Sequence, residues 1–155
     1  MQCSYRFNQY APMDTIGIDS KLSIQFDFHE LERISKWLNE TGKILNLPDS
    51  LVGDLDLCTH EAVANIISYV EEHARHHPIE ISLATENDSV ILRIQDRGQA
   101  FNPLEMPPPE QAKNLKEAKV GGMGIHLIRS LMDECSYERK NESNVLVLKA
   151  CLQMN

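Results

Sequence analysis

The sequence predicts an α+β fold, a two-layer α/β sandwich in which one mainly antiparallel mixed sheet carries helices on one face. Three observations lead to this prediction. Two pairs of apolar segments are each joined by a tight-turn signal. Other segments repeat apolar residues every three to four positions, as helices packed on a sheet do. The chain has 155 residues, enough for one domain with a sizeable core and too few for two.

The first elements follow an N-terminal stretch that has no clear pattern. Residues 1–20 are interpreted as an N-terminal extension or an edge strand, and residues 21–155 as a single domain. Apolar and polar positions alternate over residues 21–28, which predicts a half-buried strand. A helix is expected to follow to about residue 47, with Gly42 marking a break or an end.

A second helix is predicted from about residue 51 to residue 74, with Asp49 or Ser50 as its N-cap and Pro78 as its terminator. Its apolar positions recur at helical spacing: Leu51, Leu55, Cys58, Ala62, Ile66 and Val70. The regular face of this helix indicates that it packs on the sheet.

The second half of the chain predicts two hairpins and one helix. Strands over 79–86 and 89–96 meet at Asn87-Asp88, and strands over 135–140 and 144–152 meet at residues 141–143. A helix is predicted over 124–135 from its apolar spacing. Residues 97–121 have no sustained period, and a segment of that length inside a small domain is typical of a functional lid or of disorder.

Charge and composition exclude several classes of partner. The chain has 15 Lys and Arg against 23 Asp and Glu, a net charge of −8. This disfavours nucleic acid and anionic membranes, which are bound through clustered cations, but a nucleotide needs only a local site. No apolar run approaches the ~20 residues of a membrane span, the start is too polar for a signal peptide, and the four cysteines form no CxxC pair. We therefore expect a cytoplasmic protein.

A histidine cluster at residues 73–77 allows two interpretations. His73, His76 and His77 have a spacing that suits a metal site on a helix. They equally suit a polar helix end before Pro78, where cationic side chains are favoured. The second interpretation is preferred because no carboxylate or cysteine completes a ligand set.

The first of three chemical motifs is a pair of polar residues on an otherwise apolar helix. Glu61 and Asn65 lie four residues apart, on one helix face. An asparagine carbonyl is a suitable ligand for Mg²⁺, and a glutamate can take a proton from a hydroxyl. On its own the pair is a weak signal, and a capped or exposed polar pair is then the preferred explanation.

The second motif is QDRGQAFNP at residues 95–103. Asp96 closes an apolar strand, and Gly98 is expected to allow a sharp turn with positive φ. An aspartate at a strand end can accept a hydrogen bond from an exocyclic amine such as the N6 amine of adenine. An ordinary strand-to-loop turn is the alternative, since Asp and Gly are common there.

The third motif is VGGMGIHLI at residues 120–128. Gly122 and Gly124 are expected to precede a helix, where free N–H groups and the positive helix end can hold phosphate oxygens. A flexible hinge before a helix is the alternative interpretation. The order and spacing of the three motifs, with a long segment between the second and third, carry more weight than any one of them.

Together the motifs resemble those of the GHKL (Bergerat-fold) ATPases. HEAVANIISY at 60–69 is similar to their N box, DRGQAFNP at 96–103 to the first glycine box, and GGMGIHLI at 121–128 to the second. Within this superfamily the chain resembles the single-domain anti-sigma-factor serine kinases of the RsbW and SpoIIAB kind. The resemblance covers about residues 20–150, and Tyr69 fits the histidine or tyrosine that is usual four residues after the asparagine.

The resemblance implies ATP and Mg²⁺ as cofactors and assigns roles to residues. Glu61 would be the general base, Asn65 would ligate the metal, and Asp96 would bond the adenine amine beside Gly98. The implied nucleotide-binding set is Asn65, Asp96, Gly98, Phe101, Gly122, Met123, Gly124 and Ile125. Residues 103–121 would form a lid in which Lys113, Lys116 and Lys119 are candidate phosphate contacts, although a solvated charged segment explains these lysines as well.

The resemblance further implies an ATP-dependent serine/threonine protein kinase that acts as an anti-sigma factor in a partner-switching pathway. It would phosphorylate a serine of a small anti-sigma-factor antagonist, hold a sigma factor or another output regulator, and form a homodimer. The alternative is a non-catalytic nucleotide-binding switch that sequesters a regulatory partner. One departure stands out, because Ser143-Asn144 replaces the Gly-Thr pair that commonly lies near the adenine.

Overall fold

The structure, a computed structural model, describes residues 20–105 and 122–152, apart from the side chains of Gly122 and Met123. The three lysines of the predicted lid lie outside these residues. So does the predicted N-terminal extension, apart from its last residue, Ser20, which begins the first strand. The described elements are, in chain order, β1 (Ser20–Ile24), α1 (Glu30–Ile44), α2 (Asp49–Tyr69), β2 (Ile79–Glu86), β3 (Ser89–Asp96), α3 (Gly122–Leu131), β4 (Glu134–Lys140) and β5 (Ser143–Cys151).

The described strands form one sheet in the order β1-β2-β3-β5-β4, with every pairing antiparallel. The predicted α+β class is therefore confirmed, although these strands contain none of the parallel pairs that a mixed sheet has. Both hairpins are also confirmed. Asn87, at φ 52°, and Asn141, at φ 49°, take the left-handed conformation that tight hairpin turns require.

The core lies between one face of the sheet and the three described helices. Alternate residues of the central strands, such as Leu92 and Leu148, point into it and are fully buried. The helices contribute their own buried apolar stripes, among them Ile34, Leu38, Leu55, Val63, Ile125 and Ile128. This arrangement leaves the polar end of α2 beside the ends of β3 and β5.

The first helix differs from its prediction at Gly42. Helix α1 continues through Gly42 and ends at Ile44, after which Asn46 takes a left-handed φ of 54°. A Cβ atom on Gly42 would lie 2.5 Å from Cγ2 of Val52. Gly42 is therefore required for close packing of α1 on α2, and not as a helix end.

The second helix is shorter than predicted and is capped differently. Pro48 is the N-cap residue, so neither Asp49 nor Ser50 has that role. The helix ends at Tyr69, where Val70 becomes extended, and a separate 3₁₀ turn follows over Glu72–His76. Pro78 lies beyond that turn and does not end the helix.

Strand β1 is also shorter than its alternating pattern predicted. It ends at Ile24, and Phe28 is 53% exposed. The Oδ1 atom of Asp27 accepts a hydrogen bond from the backbone N–H of His29 at 2.9 Å, which stabilises a turn before α1. In the part of the chain that the structure describes, no helix is both long and apolar enough to cross a bilayer.

Candidate functional site

A pocket opens between α2, α3 and the ends of β3 and β5. Most of its wall is apolar, and a few polar groups converge on one side, as in many small-molecule sites. Five of the residues that the sequence indicated line it together: Asn65, Asp96, Gly98, Phe101 and Ile125. The structure therefore brings the first two motifs and part of the third to one place.

Asp96 forms the polar base of this pocket. It closes β3 and is only 5% exposed. Its Oδ1 atom accepts hydrogen bonds from the backbone N–H of Gly98 at 2.8 Å and from Nδ2 of Asn144 at 3.1 Å. No described residue hydrogen-bonds Oδ2, so this atom is free to accept a bond from a ligand.

The environment of Asp96 affects its ionisation. Burial raises the pKa of this carboxyl group, because the charged form loses its hydration. The hydrogen bonds from Asn144 and Gly98 and the positive charge of Arg139 act in the opposite direction. The neighbours of Asp96 thus favour the carboxylate form against the cost of burial.

Gly98 has a different role from the one predicted. Its φ is not in the left-handed range, so the predicted turn with positive φ is wrong. A Cβ atom at this position would lie 2.9 Å from Oδ1 of Asp96. Glycine is therefore needed so that the backbone can approach and bond the carboxylate.

A row of polar side chains crosses the sheet beside the pocket. Asp96 pairs with Asn144 on β5, and Asn144 pairs with Arg139 on β4, so the three lie in register. Arg139 donates a hydrogen bond to the carbonyl oxygen of Gly98 at 2.7 Å. The sequence motifs did not indicate Arg139 as part of the site. Only the pairing register of the second hairpin could have indicated that it lies there.

The loop after β3 is also attached to the end of α2. The side chain of Gln99 donates to the carbonyl oxygen of Tyr69 and accepts from the N–H of Glu71 at 3.3 Å. The rings of Tyr69 and Phe101 stack with their centroids 6.2 Å apart. These contacts place two aromatic rings at the mouth of the pocket.

The opposite end of the site is formed by α2 and the first turn of α3. Glu61 and Asn65 are half-buried, and no described residue forms a hydrogen bond or ion pair with either side chain. A Cβ atom on Gly124 would lie 2.5 Å from Oε2 of Glu61. The Glu61 carboxylate therefore rests directly against the backbone at the start of α3.

The glycines of the third motif lie inside the helix rather than before it. Helix α3 begins at Gly122, so Gly122, Met123 and Gly124 form its first turn. Backbone N–H groups in a first turn have no acceptor within the helix and favour anions. Ile125 is 1% exposed and adds its side chain to the apolar wall of the pocket.

None of the three histidines of the cluster lines this pocket. His73 and His76 lie in the 3₁₀ turn after α2, and Nδ1 of His73 is 3.3 Å from Oε2 of Glu71. Within residues 20–105 and 122–152, no three histidine, cysteine, aspartate or glutamate side chains converge as a metal site would require.

Similarity to known proteins identifies the family of the chain. The family model of the histidine kinase-like ATPase domain matches residues 24–150. The serine/threonine-protein kinase BtrW of Bordetella bronchiseptica is 35% identical over 94 residues, which are 61% of this chain and 66% of BtrW. The serine-protein kinase RsbW of Listeria innocua is 25% identical over 87 residues, 54% of this chain and 55% of RsbW. The chain thus spans less than two thirds of these relatives.

Solved structures have the same fold. A structure of the RsbU and RsbW domains of a Mycobacterium tuberculosis protein superimposes with a TM-score of 0.63 at 14% identity, over 88% of this chain and 33% of that one. The SiaB–SiaC complex of Pseudomonas aeruginosa superimposes with a TM-score of 0.55 at 16% identity, over 87% of this chain and 91% of that one. With the family match over most of its length, the chain belongs to the histidine kinase-like ATPase domain family.

Proposed function

We propose that this chain is an ATP-dependent serine/threonine protein kinase of a partner-switching pathway. It would act as an anti-sigma factor and transfer phosphate to a serine of a small anti-sigma-factor antagonist. Its similarity to proteins named as serine kinases supports this proposal. Fold alone does not identify a function, so the proposal depends on the chemistry of the site.

One observation carries the proposal: the Glu61 carboxylate lies against Gly124 in the first turn of α3. This carboxylate is half-buried and has no hydrogen bond or ion pair from the described residues, so it is available to a ligand. The adjoining helix start favours anions such as phosphate. A proton acceptor and a phosphate-binding backbone would therefore meet where a phosphoryl group is transferred.

The base end of the pocket suits adenine. The Oδ2 atom of Asp96 would accept a hydrogen bond from the N6 amine, because Oδ1 already holds two bonds from the protein. Ile94, Ile125 and Leu146 supply apolar surface for the ring, and Tyr69 and Phe101 lie at its edge. Gly98 keeps the backbone close to the carboxylate without occupying the pocket.

Asn65 is the residue that would hold Mg²⁺. Its carboxamide lines the pocket, and no described residue hydrogen-bonds it, so its oxygen fits the hard cation. When bound, Mg²⁺ would neutralise charge on the phosphates. Asn65 lies one helical turn from Glu61 on the same face of α2, so the metal ligand and the base are held by one rigid element.

Glu61 would act on the incoming serine. It would take the hydroxyl proton while the serine oxygen forms a bond to the γ-phosphorus and the bond to the bridging oxygen breaks, leaving ADP. The N–H groups of Gly122, Met123 and Gly124 would hold phosphate oxygens during this step. The chain's own contribution is thus positioning and one proton transfer.

The biological setting is part of the same proposal. The net charge of −8 suits an acidic protein that sequesters a basic, DNA-binding factor such as a sigma factor. We expect a cytoplasmic homodimer that exchanges between this output regulator and the antagonist. This exchange would make the protein a regulator of transcription without direct contact with nucleic acid.

The first test is a calorimetric titration of the purified chain with ADP and ATP, with and without Mg²⁺. We expect Mg²⁺-dependent binding to the wild type, and a loss of affinity in Asp96→Asn. Asn39→Ala, on the exposed side of α1, is the matched control and should bind normally. If the wild type does not bind at millimolar nucleotide, both the proposed kinase function and the alternative nucleotide-binding switch are overturned.

A second test separates the kinase from the nucleotide-binding switch. Glu61→Gln keeps the size of the side chain but removes the base, so phosphoryl transfer should fall about 10²- to 10⁴-fold while ADP affinity is retained. Transfer is measured by mass spectrometry of phosphoserine on a panel of purified anti-sigma-factor antagonists. Binding of ADP without transfer to any antagonist would favour the non-catalytic switch.

A further inference from the structure

Asn144 is a buried residue in the wall of the pocket, and every hydrogen-bonding position of its side chain is in use. Its Oδ1 atom accepts from the hydroxyl of Tyr137 at 2.6 Å and from the N–H of Phe101 at 3.4 Å. Its Nδ2 atom donates to Oδ1 of Asp96 at 3.1 Å and to the carbonyl oxygen of Gln99 at 2.9 Å. A carboxamide has two donor hydrogens and two acceptor lone pairs, so none is left for a ligand.

These partners also fix the orientation of the carboxamide. The N–H of Phe101 can only donate and the carbonyl oxygen of Gln99 can only accept, so a flipped amide would lose both bonds. Nδ2 is therefore directed at Asp96. At 8% exposure, Asn144 has little water available to replace a lost partner.

The consequence appears at Asp96. Because Asn144 and the N–H of Gly98 both bond Oδ1, the plane of the carboxylate is held and Oδ2 is left as its acceptor. Asn144 also bonds the backbone at Gln99 and Phe101, so the same side chain holds the loop that forms the rim of the pocket. One residue on β5 thus connects the carboxylate and the loop.

We propose that Asn144 is a positioning residue for base selectivity: it holds Asp96 so that the site prefers nucleotides with a 6-amino purine over those with a 6-oxo purine. This inference depends on the proposed nucleotide site. An amine donates to the oriented Oδ2, whereas a 6-oxo group would place an acceptor against it. Asn144 lines the pocket, but its side-chain donors and acceptors are all used within the protein, so it acts through Asp96.

The test compares the affinities for ADP and inosine diphosphate, whose base has a 6-oxo group. The measured quantity is the ratio of the two Kd values for the wild type and for three variants. Asn144→Leu removes all four bonds. Asn144→Asp keeps the shape but places an acceptor against Asp96. Asn102→Leu is the control, because among the described residues its Oδ1 bonds only the N–H of Leu104 in the same loop.

We expect the wild type to prefer ADP and Asn144→Leu to lose about tenfold or more of that preference. Asn144→Asp should lose it near pH 8 and recover it as the pH falls. The reason is that two carboxyl groups in contact share one proton, and the protonated group again donates to Asp96. Asn102→Leu should keep the wild-type ratio. A residue that only supported the fold would change stability and leave the ratio constant.

One outcome would overturn this inference while the proposed function stands, and another would be failure of the proposed function. If the wild type binds ADP selectively and Asn144→Asp keeps that selectivity at all pH values, Asn144 does not position Asp96. Asn144→Asp answers the question even if Asn144→Leu fails to fold. If the wild type binds neither nucleotide, the nucleotide site itself is wrong.

Discussion

The two ends of the site are constructed in different ways. At the base end, Asp96 and Asn144 are buried and hydrogen-bonded to one another and to the adjoining loop. At the other end, where we propose that the phosphates bind (the phosphate end), Glu61 and Asn65 are half-buried and no described residue bonds them. The base end is thus held by hydrogen bonds within the protein, whereas the phosphate end has polar groups that a ligand and a metal would satisfy.

This difference indicates how each end should respond to mutation. A preassembled network loses selectivity when one member is changed, because a buried partner is left unpaired. An end built by close packing loses geometry when volume is added, because nearby groups have to move. The following predictions test this distinction, beginning with the largest expected effect.

Gly124→Ala should disrupt the phosphate end most strongly. The new methyl group would lie 2.5 Å from Oε2 of Glu61, so the Glu61 carboxylate, the proposed general base, has to move. A displacement of about 1 Å in a catalytic group can cost about 10²-fold in rate. The initial rate of transfer to an antagonist measures the loss, while the ratio of ADP to inosine diphosphate affinity should not change. A normal rate would show that Glu61 does not act from this position.

Asp96→Asn should disrupt the base end by about tenfold to a hundredfold in ADP affinity, the usual range for a lost bond to a charged group. The amide oxygen can still accept from Asn144 and Gly98, so its nitrogen would face the base and favour a 6-oxo purine. Titration with both diphosphates measures the reversal. Unchanged ADP affinity would remove Asp96 from the base contact.

The same variant has a consequence for stability against pH. Burial raises the pKa of Asp96, so its contribution to stability is fully present below the unfolded value of 3.8 and is lost as pH rises through the higher folded value. Asp96→Asn should remove this dependence and be at least as stable as the wild type at neutral pH. Thermal unfolding across pH measures it, and an equal slope in both proteins would contradict the assignment.

Phe101→Leu tests the mouth between the two ends. The Phe101 ring is 39% exposed and stacks on Tyr69, so its loss should lower ADP affinity by about two- to tenfold, the usual worth of an aromatic pair. The transfer rate at saturating ATP should stay near that of the wild type. A large fall in that rate with unchanged affinity would place Phe101 at the reacting groups instead.

The smallest effects should come from two glycines in the helices away from the site. Gly53 is exposed in α2 and a Cβ there meets nothing within 4 Å, so Gly53→Ala should stabilise the fold by about 1 kcal/mol. Gly42→Ala should destabilise it by about 1–3 kcal/mol through the clash with Val52. Urea unfolding measures both changes. If the two variants changed the free energy of unfolding equally, close packing would not be what distinguishes these glycines.

Much of the fold could be predicted because its signals are local. Asn87 and Asn141 mark their hairpins by a backbone conformation that their residue type tolerates. Gly42 was misjudged because its reason is tertiary: only the partner helix explains it. The end of α2 was likewise unpredictable from Pro78, since the chain leaves the helix at Tyr69 and the loop after β3 bonds it there.

The site was predicted unevenly for the same reason. Glu61, Asn65 and Asp96 could be proposed from the sequence because each lies in a short recognisable motif. The part played by Asn144 was not found, since its partners are 45 and 48 residues away along the chain. Only the strand register brings them together, and a residue that departs from the family pattern gives no motif to follow.

The order of the strands has a consequence for behaviour at high concentration. Strand β4, at one edge of the described sheet, carries four charged residues: Glu134, Glu138, Arg139 and Lys140. Charged edges resist pairing with strands of other molecules. Aggregation along β4 is therefore disfavoured, and we expect two copies of this chain to associate through surfaces other than this edge.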